Sequence, residues 1–226
     1  MLDRLKRIIL ITGYYGCGKT NLSVNLALDY AEKGEEVSIM DLDIVNPFFR
    51  TADFKRMLEE NGIKVITPKY ANTLADTPSI PREAASVFIS DQRVIADIGG
   101  DDAGAVVLGR FSDDIKKGSG ADMLYLFSVF RPGTADVNEI ARNIEAIETV
   151  SRQKVTYLVN SSNLGAQTQL EDIKQSENFA RQLEELTDIP LLTTLVMEEL
   201  AGDIKNVYRV KRLVRLPWEP PHNQAD

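Results

Sequence analysis

The sequence is short of the residues that build disulfides and metal centres. Its 226 residues include one cysteine, Cys17, and one histidine, His222. A single cysteine excludes an intrachain disulfide, and it excludes every metal or iron–sulfur motif that needs a pair of cysteines in one chain. His222 stands beside Pro220 and Pro221, away from the motifs described below, and we interpret it as solvated. A cysteine-based centre would therefore need a second subunit.

Long apolar runs are also missing. No stretch approaches the roughly 20 consecutive apolar residues that a membrane-spanning helix needs. The short apolar segment at residues 8–12 is followed at once by glycine and tyrosine, so we expect no secretory signal. These observations predict a soluble, cytoplasmic protein that has no membrane partner.

Positive charge is in the minority. The chain carries 26 Lys and Arg against 34 Asp and Glu, a net charge of −8. Sequence-independent affinity for DNA or RNA needs a surplus of cationic side chains, so we expect no nucleic-acid partner. One basic stretch, Lys205–Arg215, interleaves cations with apolar residues. A membrane-surface helix is an alternative there, but the charges do not separate onto one face, which favours a last strand or helix with a solvated edge.

The order of apolar segments indicates the fold class. Short β-branched runs alternate with longer amphipathic segments, which predicts βαβ units, a mostly parallel sheet and a three-layer α/β/α fold. Strands are predicted at Arg7–Thr12, Val37–Asp41, Lys64–Thr67, Val94–Asp97, Met123–Val129, Val155–Asn160 and Leu191–Val196. Helices are predicted at Lys19–Lys33, Thr51–Asn61, Arg82–Ser90, Thr134–Ser151 and Gln169–Leu186. Long irregular stretches are expected at Thr67–Pro81 and Gly99–Gly120. We expect one domain over residues 1–216 and a flexible tail over 217–226.

A glycine-rich segment follows the first predicted strand. Gly13-Tyr-Tyr-Gly-Cys-Gly-Lys-Thr20 fits the pattern G-x-x-x-x-G-K-[ST] and opens an amphipathic helix. Glycines let successive backbone N–H groups point at phosphate oxygens, and the helix adds the positive end of its dipole. Lys19 then reaches the β and γ phosphates, and Thr20 presents its hydroxyl to Mg²⁺. Nucleotide contacts are thus predicted at Gly13, Tyr14, Tyr15, Gly16, Cys17, Gly18, Lys19, Thr20 and Asn21. The alternative is a simple glycine-rich turn.

Acidic residues end two of the predicted strands. Asp41 ends the second strand, Asp43 follows it, and Asp97 ends the fourth, just before Gly99 and Gly100. The carboxyl ends of parallel strands form the ligand site of open α/β sheets. We therefore expect Asp43 to orient the attacking water and contribute to the metal site, Asp97 to hold Mg²⁺ through water, and the two glycines to donate a backbone N–H to the γ-phosphate. The alternative is that both clusters form helix caps or turns.

These three motifs, in this order, carry a family resemblance. The chain resembles the MinD/ParA/CobQ-like branch of P-loop NTPases, in the SIMIBI class, whose second strand carries D-x-D and a later strand D-x-G. It is similar, over residues 7–200, to the small MinD-type ATP-binding proteins of anaerobic bacteria. The resemblance implies a sheet of seven or eight strands, binding of ATP or ADP with Mg²⁺, slow hydrolysis and frequently a nucleotide-bridged homodimer.

Two positions qualify the resemblance. The family places a signature lysine directly after the first glycine of the motif, where this sequence has Tyr14. Dimer-activated hydrolysis therefore stays open, and Arg131, Arg82 or Lys69 is the alternative cation, each otherwise an ordinary solvated charge. Asn160 ends a predicted strand where the family uses an asparagine to read adenine, which needs a donor and an acceptor on one side chain. An Asx turn is the alternative for Asn160. The guanine-specific N-K-x-D pattern is missing here, which favours adenine.

The predicted function is a nucleotide switch. Mg-dependent ATP binding and slow hydrolysis, with Lys19 and Asp43 as catalytic residues, would change the conformation of residues 41–51 and 97–109 and so alter affinity for an unidentified client protein. Such switches serve in positioning, metallocofactor insertion or complex assembly. The alternatives are a small-molecule ligase or kinase of the CobQ or dethiobiotin-synthetase kind, and a nucleotide-binding module with negligible turnover. Cys17 would be redox-sensitive if the helix dipole stabilised its thiolate, although we prefer the interpretation as a small loop residue.

Overall fold

The computed structural model of the chain describes residues 1–43, 54–67, 83–100, 102–118, 120–131, 136–202, 204 and 206–214. Within these residues the strands are β1 Ile8–Gly13, β2 Val37–Asp41, β3 Lys64–Ile66, β4 Arg93–Asp97, β5 Ala121–Phe127, β6 Tyr157–Asn160, β7 Leu191–Met197 and β8 Val207–Val210. The helices are α1 Lys19–Glu32, α2 Lys55–Glu60, α3 Glu83–Ile89, α4 Asp102–Gly109, α5 Ser112–Lys117, α6 Val137–Ser151, α7 Leu170–Thr187 and α8 Glu198–Ala201.

The strands form a single parallel sheet in the order β3-β2-β4-β1-β5-β6-β7-β8. The crossover between β1 and β2 leaves β4 between them, and β5 pairs with the other side of β1. This topology places the carboxyl end of β1 in the middle of the sheet, where the strand order reverses and ligands bind in open α/β folds. The predicted α/β/α class with a parallel sheet of seven or eight strands is confirmed.

The central strand β1 is buried on both faces. All six of its residues are buried, and alternate side chains enter two different cores, as the two-residue period of a strand requires. Ile8 and Leu10 pack with residues of α3 to α7, whereas Ile9 and Ile11 pack with residues of α1 and α2. A strand enclosed in this way is held firmly in place, so the loop that follows it starts from a fixed position.

The prediction that Gly99–Gly120 is irregular is wrong for most of that stretch. It contains α4 and α5, whose residues Ala105, Leu108 and Ile115 are fully buried in the core. Glycine permits this packing: a Cβ on Gly109 would lie 2.6 Å from the backbone oxygen of Val150 in α6. The same glycines that indicate a loop in the sequence therefore allow two helices to approach closely. The part of the predicted switch at residues 102–109 is the packed helix α4.

Other predicted elements differ at their ends or fall outside the described residues. Residues 207–210 of the basic stretch Lys205–Arg215 form the edge strand β8. The sequence favoured a last strand or a last helix there, and the structure has the strand. Most of Thr67–Pro81, the first residues of the helix predicted at Thr51–Asn61, and the tail 217–226 lie outside the described residues. The domain limits therefore stay a prediction. In the part of the chain that the structure describes, no helix is long and apolar enough to cross a bilayer.

The amino-terminal end of β1 is tied to three other segments. The guanidinium of Arg7, the residue before β1, donates hydrogen bonds to the backbone oxygens of Phe88, Gln92 and Gly118, at 2.6, 2.8 and 2.9 Å. The first of these acceptors lies in the last turn of α3, the second directly precedes β4 and the third directly follows α5. The planar, multiply donating guanidinium suits this convergence of carbonyl groups. The anchor lies at the opposite end of β1 from the glycine-rich loop.

Candidate functional site

The glycine-rich loop curls back between β1 and α1. Gly16 and Gly18 have φ angles of +76° and +82°, in the left-handed region that favours glycine, and Gly18 is the N-cap of α1. The backbone N–H of Cys17 donates to the backbone oxygen of Tyr14 at 3.3 Å, which closes the turn. Gly16 and Gly18 are exposed. The loop therefore curls back on itself with the amino end of a helix directly behind it, which is a favourable position for an anion.

Lys19 lies beneath this loop. Its side chain is buried, and Nζ donates to the Tyr14 backbone oxygen at 3.3 Å. Gly100 approaches from β4: a Cβ there would lie 2.2 Å from the Gly13 backbone oxygen and 3.1 Å from Lys19 Nζ. The neighbouring Gly99 accepts a hydrogen bond from Thr12 Oγ1 at 3.2 Å. The predicted lysine and glycine pair therefore meet at one place, where a side chain on Gly100 would displace the loop.

Thr20 and Asp97 form the next part of the site. Thr20 Oγ1 donates to Asp97 Oδ2 at 2.7 Å, and Asp97 is 1% exposed at the carboxyl end of β4. Asp97 pairs in register with Ile11 of β1, so the sheet itself brings the carboxylate next to the loop. Both groups present hard oxygen atoms, the ligands that Mg²⁺ prefers. The predicted metal pair is therefore assembled at the foot of the loop.

The second acidic cluster lies beside the first. Asp41 ends β2, is 2% exposed and pairs in register with Asp97. The backbone N–H of Asp43 donates to Asp41 Oδ1 at 3.2 Å, and Leu42 N–H donates to the Asp97 backbone oxygen at 2.8 Å. Asp41 thus forms a turn, which was the alternative interpretation, while Asp43 is half-buried just beyond it. Residues 44–51 of the predicted switch lie outside the described residues.

The side chains of this site would not fill the coordination shell of Mg²⁺ by themselves, so a ligand or water would have to supply the remaining oxygen atoms. Among the described residues, no group of three or more His, Cys, Asp or Glu side chains could hold a metal ion. Thr20, Asp97 and Asp43 were predicted as metal contacts, and the structure brings the first two into hydrogen-bond contact. This fits Mg²⁺ in nucleotide sites, which usually takes few protein ligands and completes its shell with phosphate oxygens and water.

The side chains of the loop itself point to a structural role for its cysteine. Cys17 is 2% exposed, and burial raises the pKa of its thiol from 9.0 to about 11, against smaller lowering effects of Lys19, Arg131 and a backbone hydrogen bond from Ser128. The helix dipole does not produce a thiolate at neutral pH, so the structure favours the interpretation as a small loop residue. Tyr14 packs partly against the core, and Tyr15 is 60% exposed.

Asn160 is fully buried at the end of β6. Its Nδ2 donates to Ser176 Oγ at 2.8 Å, and its Oδ1 accepts from the Ser162 backbone N–H at 3.1 Å. The second bond closes an Asx turn, which was the alternative for this residue. Both kinds of group that would read adenine are engaged inside the protein. Contact with a base would require these bonds to rearrange.

The side chain of Asn21, which was predicted as a nucleotide contact, holds the chain after β8. Its Oδ1 accepts from the backbone N–H groups of Leu213 and Val214 at 2.9 and 3.2 Å, and its Nδ2 donates to the Lys211 oxygen at 3.1 Å. Asn25, one helical turn later, exchanges two further bonds with the Lys211 backbone at 2.8 and 2.9 Å. We call residues 211–214 the C-terminal strap. No motif in the sequence indicated this contact between distant residues.

The remaining candidate cations divide into two groups. Arg131 lies in a turn after β5, close to Gly16 of the loop, and is exposed. Arg82 and Lys69 lie outside the described residues, as does His222.

Arg212 of the strap, which was not among the candidate cations, lies near Gly165, in the loop that follows Asn160.

Comparison with known proteins supports the fold. No protein-family model matches the chain. The chain is 24% identical over 203 residues to the cytosolic Fe-S cluster assembly factor Nubp2 homolog of Anopheles gambiae, covering 89% of this chain and 71% of the relative. A NUBP2 homolog of Culex quinquefasciatus, described in the same words, is also 24% identical over 203 residues, which are 89% of this chain and 72% of the relative.

Solved structures with the same architecture are more distant in sequence. The 54 kDa signal recognition particle protein of Aeropyrum pernix, in complex with GDP, superposes with a TM-score of 0.54 at 18% identity, over 83% of this chain and 40% of that one. FtsY of Mycoplasma mycoides gives 0.55 at 18% identity, over 87% and 63%. The chain thus spans less than two thirds of either structure. Together, these comparisons support the fold, a parallel sheet covered by helices that this chain shares with these solved structures.

Proposed function

We propose that the protein binds Mg-ATP in the glycine-rich loop, hydrolyses it slowly and uses the change in nucleotide to alter its affinity for a client protein in the cytoplasm. The observation that carries the proposal is the hydrogen bond of 2.7 Å between Thr20 and Asp97 at the foot of the loop. A threonine that follows the loop lysine, joined to a carboxylate at the end of a neighbouring strand, is the arrangement that P-loop NTPases use for Mg²⁺.

Each part of the site has a chemical task in this proposal. The loop N–H groups and Lys19 bind the phosphates and stabilise the charge that develops on the transferred phosphoryl group. Thr20 and Asp97 would hold Mg²⁺, which would supply positive charge to offset that of the phosphates. Asp43 orients the attacking water, and Gly99 or Gly100 donates a backbone N–H to the γ-phosphate. The nucleotide base is adenine, in keeping with the missing N-K-x-D pattern.

Assembly of a metallocofactor is the client process that the comparisons favour. Both curated relatives are named cytosolic Fe-S cluster assembly factors. The 226 residues contain one cysteine, which is buried beneath the loop and has a raised pKa. A cluster bound by a pair of thiolates from one chain is therefore excluded for these residues. The role proposed here is nucleotide-driven assembly with a client, in a homodimer, with the cluster ligands supplied by other proteins.

The test compares two isosteric substitutions. Calorimetry measures ATP and GTP affinity with and without Mg²⁺, and phosphate release measures hydrolysis, for the native protein, Asp97→Asn and Asp113→Asn. Asp113 is an exposed aspartate of α5 and is the matched control. We expect Asp97→Asn to remove the Mg²⁺ dependence of binding and to slow hydrolysis by about 100-fold, with Asp113→Asn unchanged. Failure of the native protein to bind either nucleotide at millimolar concentration would overturn the proposal.

The same assay separates the switch from a nucleotide-binding module with negligible turnover. Tyr14 stands where the family has its signature lysine, and its side chain packs partly against the core. Hydrolysis above the buffer rate that is lost in Asp43→Ala, with Mg-ATP affinity retained, supports the switch. Hydrolysis at the buffer rate by both the native protein and Asp43→Ala, with Mg-ATP still bound, would favour the module without turnover.

A further inference from the structure

The turn that follows β5 is docked on the glycine-rich loop. Residues 128–131 form this turn, in which the Arg131 N–H donates to the Ser128 oxygen at 3.3 Å. The Val129 N–H donates to Ser162 Oγ at 3.1 Å, and Ser162 is fully buried. A backbone hydrogen bond from Ser128 also reaches the Cys17 thiol. The turn is thus fixed on one side by the loop after β6 and on the other by the P-loop itself.

This turn carries the guanidinium of Arg131 to the exposed side of the loop. A Cβ built on Gly16 would lie 3.6, 3.7 and 3.8 Å from Nε, Cζ and Cδ of Arg131. The Arg131 side chain is exposed, whereas Lys19 is buried on the other side of the same loop. Two cations therefore flank the loop, one beneath it and one beside its exposed glycine.

We propose that Arg131 binds the terminal phosphate of the nucleotide in cis, from the same chain as the P-loop, as a second phosphate-binding cation beside Lys19. The inference rests on the proposed function, because it assigns a role at that same site. A guanidinium presents several donors in a rigid plane and bonds two oxygens of one phosphate, which an ammonium group does less well. Its ligand is the phosphoryl group that distinguishes a triphosphate from a diphosphate.

The position of Arg131 differs from that of an ordinary solvated arginine. A solvated side chain samples many conformations, and its ion pairs contribute little. Arg131 is carried by a turn anchored on two buried groups, Cys17 and Ser162. The positive charge of Arg131 also acts on Cys17 in the loop, where it lowers the pKa of the thiol, as the charge of Lys19 does. The turn therefore keeps the backbone of Arg131 beside the loop, from which its side chain extends to Gly16.

The test measures affinity for Mg-ATP and Mg-ADP in the full chain. Arg131→Ala removes the cation, Arg131→Lys keeps the charge and loses the planar fork, and Arg142→Ala removes an exposed arginine of α6 as the matched control. We expect Arg131→Ala to weaken Mg-ATP about tenfold and Mg-ADP less than about twofold. Arg131→Lys should fall between the native protein and Arg131→Ala, and Arg142→Ala should match the native protein.

The outcomes separate this inference from the proposed function. If native protein binds Mg-ATP and Arg131→Ala weakens ATP and ADP equally, or weakens neither, the cis contact is overturned and the proposed function stands. If the native protein binds no nucleotide, the proposed function fails and this inference fails with it. Thermal unfolding of each variant is recorded alongside, and we expect no shift for these exposed positions. A selective loss of triphosphate affinity with unchanged unfolding supports the contact.

Discussion

The protein uses two groups of polar residues in opposite ways. At the phosphate end, Gly16, Gly18, Lys19, Thr20 and Asp97 form an open loop with a buried cation and a hydroxyl–carboxylate pair at its foot. On the asparagine flank, which we define as Asn160, Asn21 and Asn25, the side-chain amides are bonded to other parts of the protein. Conformation and charge prepare the first group for a ligand, whereas hydrogen bonding commits the second to the fold.

This difference has a consequence for recognition. The loop conformation and the buried lysine that we propose for phosphate binding are already in place, so we expect triphosphate binding to need little reorganisation of the loop. A base that used Asn160 would first have to break bonds at 2.8 and 3.1 Å inside the protein. We therefore expect strong dependence of affinity on phosphate number and weak dependence on the base. The predictions that follow test each side of the comparison, beginning with the largest effect.

Lys19→Ala tests the phosphate end. Removal of the buried ammonium takes away a charge-assisted contact to the phosphates, and we expect Mg-ATP affinity to fall by at least about 100-fold. Calorimetry measures the affinity. Lys33→Ala removes a lysine from the other end of α1 that pairs with Asp3 on the surface, and it is the control. An affinity within threefold of the native value in Lys19→Ala would show that the loop does not bind phosphate.

Asn160→Ala tests the asparagine flank. The substitution leaves the buried Ser162 N–H without its acceptor, which costs about 1–3 kcal/mol of unfolding free energy. Ser176 Oγ loses the hydrogen bond that it accepts from Asn160 but still donates to the Ile173 backbone oxygen. Urea denaturation measures this loss. We expect the ratio of ATP to GTP affinity to change by less than about threefold. A large change in that ratio with unchanged stability would instead establish Asn160 as the residue that reads the base.

Asn21→Ala tests the C-terminal strap. The variant loses one donated and two accepted hydrogen bonds to residues 211–214, and we expect a stability loss of about 1–2 kcal/mol with faster amide exchange at Leu213 and Val214. Hydrogen exchange measured by mass spectrometry checks the second effect. Asn25→Ala should release Lys211 instead, since its bonds reach that backbone. Unchanged exchange in both variants would mean that the strap is held by other contacts.

Cys17 gives the smallest expected effect. Its pKa of about 11 keeps the thiol protonated at pH 8, and burial blocks reagents, so iodoacetamide should leave nucleotide affinity of native protein unchanged. In urea the same thiol, with an ordinary pKa, should be labelled readily. Because the folded state raises this pKa, the thiol contributes stability below pH 9 that is lost as the pH rises toward 11. Rapid labelling of the native protein at pH 8 would place the thiol on the surface of the loop.

The sequence predicted local features well. The loop, Lys19, Thr20 and Asp97 follow one another in short patterns whose chemistry is readable, and the structure brings them together. Seven strands were placed within a few residues of their observed positions, because apolar runs bounded by turn residues mark buried strands. The sequence did not decide whether the segment that forms β8 is a strand or a helix, because its cations are interleaved with apolar residues.

Contacts between distant residues were not readable in this way. The bonds from Asn21 to the strap cross about 190 positions of sequence, and no periodicity reports them. Helix α4 was missed because Gly104 and Gly109 indicate a loop, although Gly109 allows α4 to approach Val150 of α6. Asn160 matched a family position, but its environment depends on Ser176, which only the packing of α7 against β6 supplies. In each case the missing information was a tertiary neighbour.

The anchor at Arg7 sets a mechanical condition for any switch. β1 joins that anchor directly to the glycine-rich loop; all six of its residues pair with β5, and the first four also pair with β4. Displacement of the loop along the strand axis would have to break bonds to three carbonyl groups at the far end as well as both ladders. The strand therefore serves as a fixed reference, and nucleotide-dependent movement must be absorbed by the segments that surround the loop.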